Sequence, residues 1–386
     1  MKPFKIFRRT NPFAWIAAGV LVLSLAACGS SDGTDAQTTT LSASLSGDQE
    51  PTPTVTGAIG TGTLSLSLPS LELSGSVALN AMVANAAHVH LGDVGVNGPV
   101  IVPLAETTAG SGVWAVPAGT MITEAQATAF NAGGLYFNAH STDNPGGEIR
   151  GQIGRQVHAA QLTASQEVPA NSTTATGNGL VSFDPATKKF TARLTLSGMT
   201  ATAAHIHPGA VGVNGPVLFP LSETAAGSGV WVSAADAVLT DAQITMLNTG
   251  GLYFNAHSTA FPGGQIRGQV GLNVRHASLS AAQEVPPNAS VATGTGTLVV
   301  NPATRAATGG IVITGMTATA AHIHLGALGV NGSINIHLVN DGAGVWSVPA
   351  NTVLSAEQLK AYKQGNLYFN AHSAASPGGE IRGQIR

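Results

Sequence analysis

The stretch Ala87–Gly98 reads A-H-V-H-L-G-D-V-G-V-N-G. It returns as A-H-I-H-P-G-A-V-G-V-N-G at Ala204–Gly215 and as A-H-I-H-L-G-A-L-G-V-N-G at Ala321–Gly332. His88, His205 and His322 follow one another at intervals of 117 residues. Each copy is followed by a tryptophan in G-x-G-V-W (Trp114, Trp231, Trp346), then by L-Y-F-N-A-H-S, a short gap and P-G-G-[E/Q]-I-R-G-Q. Gln49-Glu50, Gln166-Glu167 and Gln283-Glu284 keep the same offset. A period this regular in a chain of 386 residues marks a tandem array of three units, with boundaries at 41–154, 155–271 and 272–386.

Alternation sets the strands. In repeat two, Leu180–Phe183, the turn Asp184-Pro185-Ala186-Thr187 and Phe190–Leu196 form a hairpin, and Ala204–His207, Val217–Leu221 and Val230–Val232 are further short strands. One helix per repeat is predicted from capping boxes at Thr123/Gln126, Thr240/Gln243 and Ser355/Gln358, ending near Gly133, Gly250 and Gly365. In the closing hairpin Leu135, Phe137 and Ala139 point to the core. Tyr136, Asn138 and His140 point away, and symmetric pairing about Pro145-Gly146-Gly147 sets them opposite Gln152, Arg150 and Glu148 as an exposed polar row. The expected fold is all-β: three antiparallel, immunoglobulin-sized sandwich or barrel domains, each with one short helix.

Composition supports this and narrows the partners. Charged residues make up 9% of the chain and Gly numbers 48, which suits short strands and tight turns. The formal charge is −3; removing Lys2, Lys5, Arg8 and Arg9 with a leader leaves 12 basic against 19 acidic residues, or −7. No basic stripe is available to neutralise phosphates, so nucleic acid is excluded as a partner. A basic start, the apolar run Phe13–Ala27 and Leu25-Ala26-Ala27-Cys28-Gly29 resemble a bacterial lipoprotein signal, with residues 1–27 removed and Cys28 lipidated. Cys28 is the only cysteine, which leaves none for an intramolecular disulfide. Residues 28–40 are Ser/Thr/Gly/Asp-rich and read as a flexible tether. The resulting address is the cell envelope, with the chain held at a membrane by its N-terminal lipid. Gly29 after the cysteine is similar to the outer-membrane form of the sorting signal, and Arg8-Arg9 lacks the apolar pair that a twin-arginine signal needs.

Taken together, A-H-[VI]-H-x-G-x-x-G-x-N-G, the Trp strand, L-Y-F-N-A-H-S and P-G-G-E-I-R-G-Q resemble the CHRD domain, named for chordin, over residues 41 to 386. The resemblance implies an extracytoplasmic β-sandwich similar in fold to the copper/zinc superoxide dismutases, and it brings no assigned activity. Growth-factor contacts in chordin are ascribed to a different module, so antagonism of a signalling protein does not transfer.

In a strand, residues i and i+2 share a face about 6.5–7 Å apart, so the imidazoles of each H-x-H pair can meet on one zinc or copper ion. Adding the histidine of the closing hairpin gives three candidate triads: His88, His90 and His140; His205, His207 and His257; His322, His324 and His372. His158, His276 and His337 do not register with one another. The competing reading is structural, with each ring bonded to a loop carbonyl and fixing the connection whose turn lies at Asn97-Gly98. Neighbours that could orient a ligand are Asn138, Glu148 and Arg150, then Asn255, Gln265 and Arg267, then Asn370, Glu380 and Arg382. Gln265 replaces a carboxylate in repeat two, which argues against an obligatory acidic ligand. The arginines suit either a carboxylate or phosphate partner or a neighbouring acid.

Catalytic templates are missing. The H-x-H pair resembles the strand supplying two copper ligands in the copper/zinc dismutases, but the cysteine pair and the zinc-site residues of that family are absent. No G-x-S-x-G elbow stands between strand and helix, and Glu148 has no repeated carboxylate partner. Three functions remain, a superoxide-dismutase-like enzyme being the most remote. The first is a non-enzymatic array that binds an unknown protein or surface ligand by avidity; the alternative is one copper or zinc ion per domain.

Overall fold

A computed structural model describes residues 37–386. The signal segment 1–27, Cys28 and the first part of the tether lie outside the described residues. Strand structure begins at once: Gln37–Ser46 pairs along its whole length with Ile59–Leu68, and Thr40 and Ser65 share a hydroxyl hydrogen bond of 2.7 Å. Residues 37–40 therefore belong to the first domain and not to the tether. Their threonines, read as linker composition, are β-branched and fit a pleated edge.

Repeat two illustrates all three domains. Its elements are β1 (Gln156–Thr163), β2 (Thr176–Phe183), β3 (Phe190–Ser197), β4 (Ala203–Pro208), β5 (Phe219–Glu223), β6 (Val230–Ser233), α1 (Asp241–Asn248), β7 (Leu252–His257) and β8 (Ile266–Gln269). Hydrogen bonding closes them into an antiparallel barrel in the order β1-β2-β3-β6-β5-β4-β7-β8, with β8 returning to β1. Repeats one and three keep this order but split β5 in two. Val100–Pro103 and Ser333–His337 pair with the H-x-H strand, while Ala105–Glu106 and Val339–Gly342 pair with the Trp strand. Full closure in repeat two removes the exposed edges that an open sheet of short strands would present, and the split in repeats one and three leaves the barrel open at that seam.

The apolar alternation fills each barrel. Leu194, Ile206, Phe254 and Ile266 are at most 1% exposed, as are their counterparts Val77, Val89, Phe137 and Ile149 in repeat one. The helix forms where the capping box requires: the Thr240 hydroxyl accepts from the Gln243 amide while the Gln243 side chain accepts from the Thr240 amide. In repeat three Leu359 and Tyr362 bury its inner face.

One expectation fails. The hairpin register is as derived, with Arg150 opposite Asn138 and Gln152 opposite Tyr136. Yet this polar face is buried: Tyr136, Asn138, Arg150 and Gln152 are 1–3% exposed. The loop after the H-x-H strand lies across it, and the loop after the first strand covers its other end. Strand alternation identifies two faces but carries no information about which loops fold back over them.

The domains also touch. Lys363, on the helix of repeat three, places Nζ 3.0 Å from Asp48 Oδ1 in repeat one, with both side chains almost fully buried. No hydrogen bond is made by either Asp48 oxygen, so this ion contact is its compensation. Beside it, a Cβ on Gly57 would fall 2.0 Å from the Ala356 carbonyl oxygen, so the two backbones meet where no side chain fits. Removing one partner of a buried ion pair strands the other charge, at about 3–5 kcal/mol. Lys363→Met should lower unfolding free energy in denaturant by roughly that amount, and adding Asp48→Leu should restore most of it. If Lys363→Met is neutral, this contact does not hold repeats one and three together.

Candidate metal centre

The three rings of each triad converge. His88 and His90 sit on the H-x-H strand, and His140 enters from the adjacent closing strand, where Ala86 pairs with His140 and His88 with Asn138. One nitrogen from each ring can be chosen so that all three lie within 4.8 Å of one another, and the same holds for the triads of repeats two and three. His88 Nδ1 is 3.1 Å from His140 Nε2; the matching separations are 3.2 Å for His205 and His257 and 3.0 Å for His322 and His372.

Main-chain carbonyls decide which nitrogens are free. His90 Nδ1 lies 2.9 Å from Gly98 O, and His140 Nδ1 lies 3.0 Å from Pro145 O. A carbonyl only accepts, so both rings carry their proton on Nδ1 and keep a lone pair on Nε2. His207 with Gly215, His257 with Pro262, His324 with Gly332 and His372 with Pro377 repeat the pattern. The structural reading from sequence is therefore half of the geometry: the rings do bond loop carbonyls, but through the nitrogen that leaves the other one available. Nε2 of His90, His207 and His324 is buried with no partner. An unmet buried polar atom costs about 1–3 kcal/mol, and a cation bound there would supply what is missing.

The protonation state suits a ligand. Burial pushes His88 and His90 below the ordinary imidazole value, and the neighbouring rings push further in the same direction. His205, His207, His324 and His372 are lowered for the same first reason, and His322 falls to about 4. These rings are neutral at pH 7, the form that donates to a metal.

The surrounding residues work as supports. The Tyr136 ring stacks on His90 at 4.9 Å and 14°, the Arg150 guanidinium stacks on Tyr136 at 3.4 Å, and the Tyr136 hydroxyl accepts from Gly98 N. Arg150 also donates to the carbonyls of Asp93 and Val96, and Gln152 to that of Gly92, so the loop carrying Gly98 O is held from beneath. Arg267 and Arg382 reproduce the stack and the two carbonyl bonds, each adding the loop asparagine, Asn214 or Asn331. No acid pairs with these guanidinium groups within 4.0 Å among the described residues, and their donors are spent on the loop rather than facing a ligand.

Glu148, Gln265 and Glu380 turn away from the histidines, toward the loop after the first strand. Glu148 accepts from Thr56, Gln265 donates to Thr173 and Glu380 accepts from Ser290. Asn255 and Asn370 donate to Glu167 and Glu284, and Asn138 lies beside Glu50 in the same way. Burial raises Glu50 and Glu167 to about 7, opposed by Arg150 and Arg267. Sequence reasoning took these glutamates as register marks and missed their place under the site; their Q-E recurrence was the available signal. It also missed the tyrosines, which alternation had assigned to solvent.

The glycine of N-G is needed for closeness. The positive φ of this loop belongs to Gly95 (72°), whereas a Cβ on Gly98 would lie 1.6 Å from Leu91 O. The turn is thus at Asp93–Val96, closed by Val96 N donating to Asp93 O, and not at Asn97-Gly98.

The sequence profile of the CHRD domain matches residues 41–153, 158–270 and 275–385. The chain belongs to the CHRD domain family. Comparison with curated proteins gave no match. Each CHRD domain of this chain is therefore one barrel-like antiparallel sheet, closed in repeat two, with one histidine triad built on its H-x-H strand. The remaining histidines of the first strands stand apart from the triads: His158 stacks on Phe183 and His276 meets the Thr297 hydroxyl.

Replacing Gly98 by alanine must displace the carbonyl that fixes His90. Gly98→Ala should cost roughly 1–3 kcal/mol from overpacking and should remove the Nδ1-protonated signal of His90 from the ring nitrogen spectrum. An unchanged His90 signal would mean that the loop carbonyl does not set this tautomer.

Proposed function

We propose that this protein binds metal, one copper or zinc ion in each of its three CHRD domains. The carrying observation is the set of convergent ring nitrogens, two of them kept free by carbonyl bonds on the far side of the ring. His88, His90 and His140 would hold the ion in the first domain, with their counterparts in the second and third. Three neutral imidazoles suit either metal, and copper is the stronger binder of the two at nitrogen sites. Bound, the ion would supply positive charge to lone pairs that face one another across about 3 Å. In the free protein His88 Nδ1 can donate into His140 Nε2; the ion would take the place of that shared proton. This reading is preferred to an adhesion array because it assigns a role to specific atoms, whereas nothing on the surface of the described residues singles out an adhesive partner. The half-exposed outer histidines leave the ion in reach of solvent.

The N-terminal pattern supports an exported protein, lipidated at Cys28 and held at the outer membrane of a host that has one. Its sole cysteine and the apolar run before it are the grounds for this part of the proposal.

Titration of the purified full chain with Cu²⁺ or Zn²⁺ should saturate at three ions, one per triad, and raise the melting temperature. His90→Ala should lower the count by one. In the third domain, where burial lowers all three rings, binding should persist at pH 6.5, where an ordinary histidine is half protonated, and fade as pH approaches about 4. A flat titration with no change in melting would remove the metal reading. For the anchor, Cys28→Ser should move the protein from the membrane to the soluble fraction and abolish labelling by a fatty-acid analogue. Retention at the membrane would count against lipidation at that residue.

A further inference from the structure

Repeat three carries a fourth histidine where the other two repeats have proline. The strand beside each H-x-H strand sets one residue directly across from its first histidine: Pro103 opposite His88, Pro220 opposite His205, and His337 opposite His322. His337 keeps the 117-residue offset from Pro220, so it occupies the repeat position and differs only in residue type. Side chains directly opposite one another on antiparallel strands share a face. His337 therefore projects on the side of the sheet that carries His322 and His324. Its ring packs edge-on against His322 with centroids 4.7 Å apart.

We infer that the third domain holds its metal with four imidazoles, His337 joining His322, His324 and His372, and so differs from the first two domains in coordination and affinity. This inference rests on the metal reading above. His337 is not among the nitrogens that already converge within 4.8 Å. It is exposed at the rim, beside a ring that is itself a ligand, and no hydrogen bond of its side chain opposes rotation toward the ion. The pyrrolidine rings of Pro103 and Pro220 offer no donor at that position. Four nitrogen donors meet the needs of tetrahedral zinc or tetragonal copper(II) without a solvent ligand, whereas three leave a position open. The chain would then carry two open sites and one closed one, fit respectively for metal that exchanges and metal that stays.

The test isolates single sites in the full chain. His90→Ala with His207→Ala leaves repeat three alone; His207→Ala with His324→Ala leaves repeat one alone. Each is loaded with one equivalent of Cu²⁺, and the coordinating imidazoles are counted from nitrogen couplings in pulsed electron paramagnetic resonance. Affinity is measured by competition with a chelator. Repeat three should show four imidazoles, repeat one three, and His337→Ala in the repeat-three protein should reduce four to three. Because His337 is exposed, its removal leaves the barrel intact, which melting of the metal-free protein checks. Affinity should drop by at least the ~10–100-fold that loss of even an outer partner of a ligand produces. Three imidazoles in repeat three, unchanged by His337→Ala, would overturn the inference while leaving the metal reading in place. Failure of every protein to take up copper would overturn both.

Discussion

Two hydrogen bonds per domain, from His90 Nδ1 to Gly98 O and from His140 Nδ1 to Pro145 O, set the character of this molecule. A histidine with a free choice of tautomer is an indifferent donor. A histidine whose Nδ1 proton is committed to a fixed carbonyl has one lone pair in one direction. The carbonyls are themselves held. Gly98 approaches Leu91 closer than any side chain would permit, its amide donates to the Tyr136 hydroxyl, and Arg150 grips the carbonyls of Asp93 and Val96. The site is thus pre-arranged by a loop and by the polar face beneath it, in the way outer hydrogen bonds orient metal ligands generally.

That arrangement explains an otherwise wasteful interior. A guanidinium, a carboxyl that burial pushes above its ordinary range, an asparagine and a glutamine are packed under one loop of each domain. Burying them is unfavourable unless their bonds are met. The guanidinium and the glutamine bond backbone carbonyls of the loop, the asparagine and the carboxyl lie against each other, and the tyrosine between arginine and histidine transmits the packing to the ligand ring. Three copies of the same geometry in one chain, with the first and third tied by a buried ion pair, place the sites on one compact body.

The arrangement of each site also shows why repeats that look alike need not act alike. Repeats one and two are nearly interchangeable in their triads and in the proline across from them. Repeat three has kept every support while exchanging that proline for His337. A difference of one side chain at the rim is enough to change the number of donors, because the rest of the shell is already built.

The sequence by itself determined what is local and periodic. The 117-residue interval divided the chain, period-two alternation placed Phe137 and Ile149 inside, the capping boxes placed the helices, and the turn at Pro145-Gly146-Gly147 set Arg150 across from Asn138. Even the convergence of H-x-H with the closing histidine could be anticipated, since both lie on strands whose faces follow from alternation. Tertiary structure alone decided which loop lies over the polar face, which nitrogen of each ring is occupied, and which residue stands across from the first histidine. The loop is held by residues 54 to 60 positions away, and although the carbonyls that occupy the rings are only eight and five residues on, their direction is set by that packing. Comparison of repeats position by position finds identical residues, so it recorded His337 as unmatched and could not see that a strand pairing brings it beside His322. Periodicity reports which side of a strand a residue takes, and only the closed barrel reports what waits there.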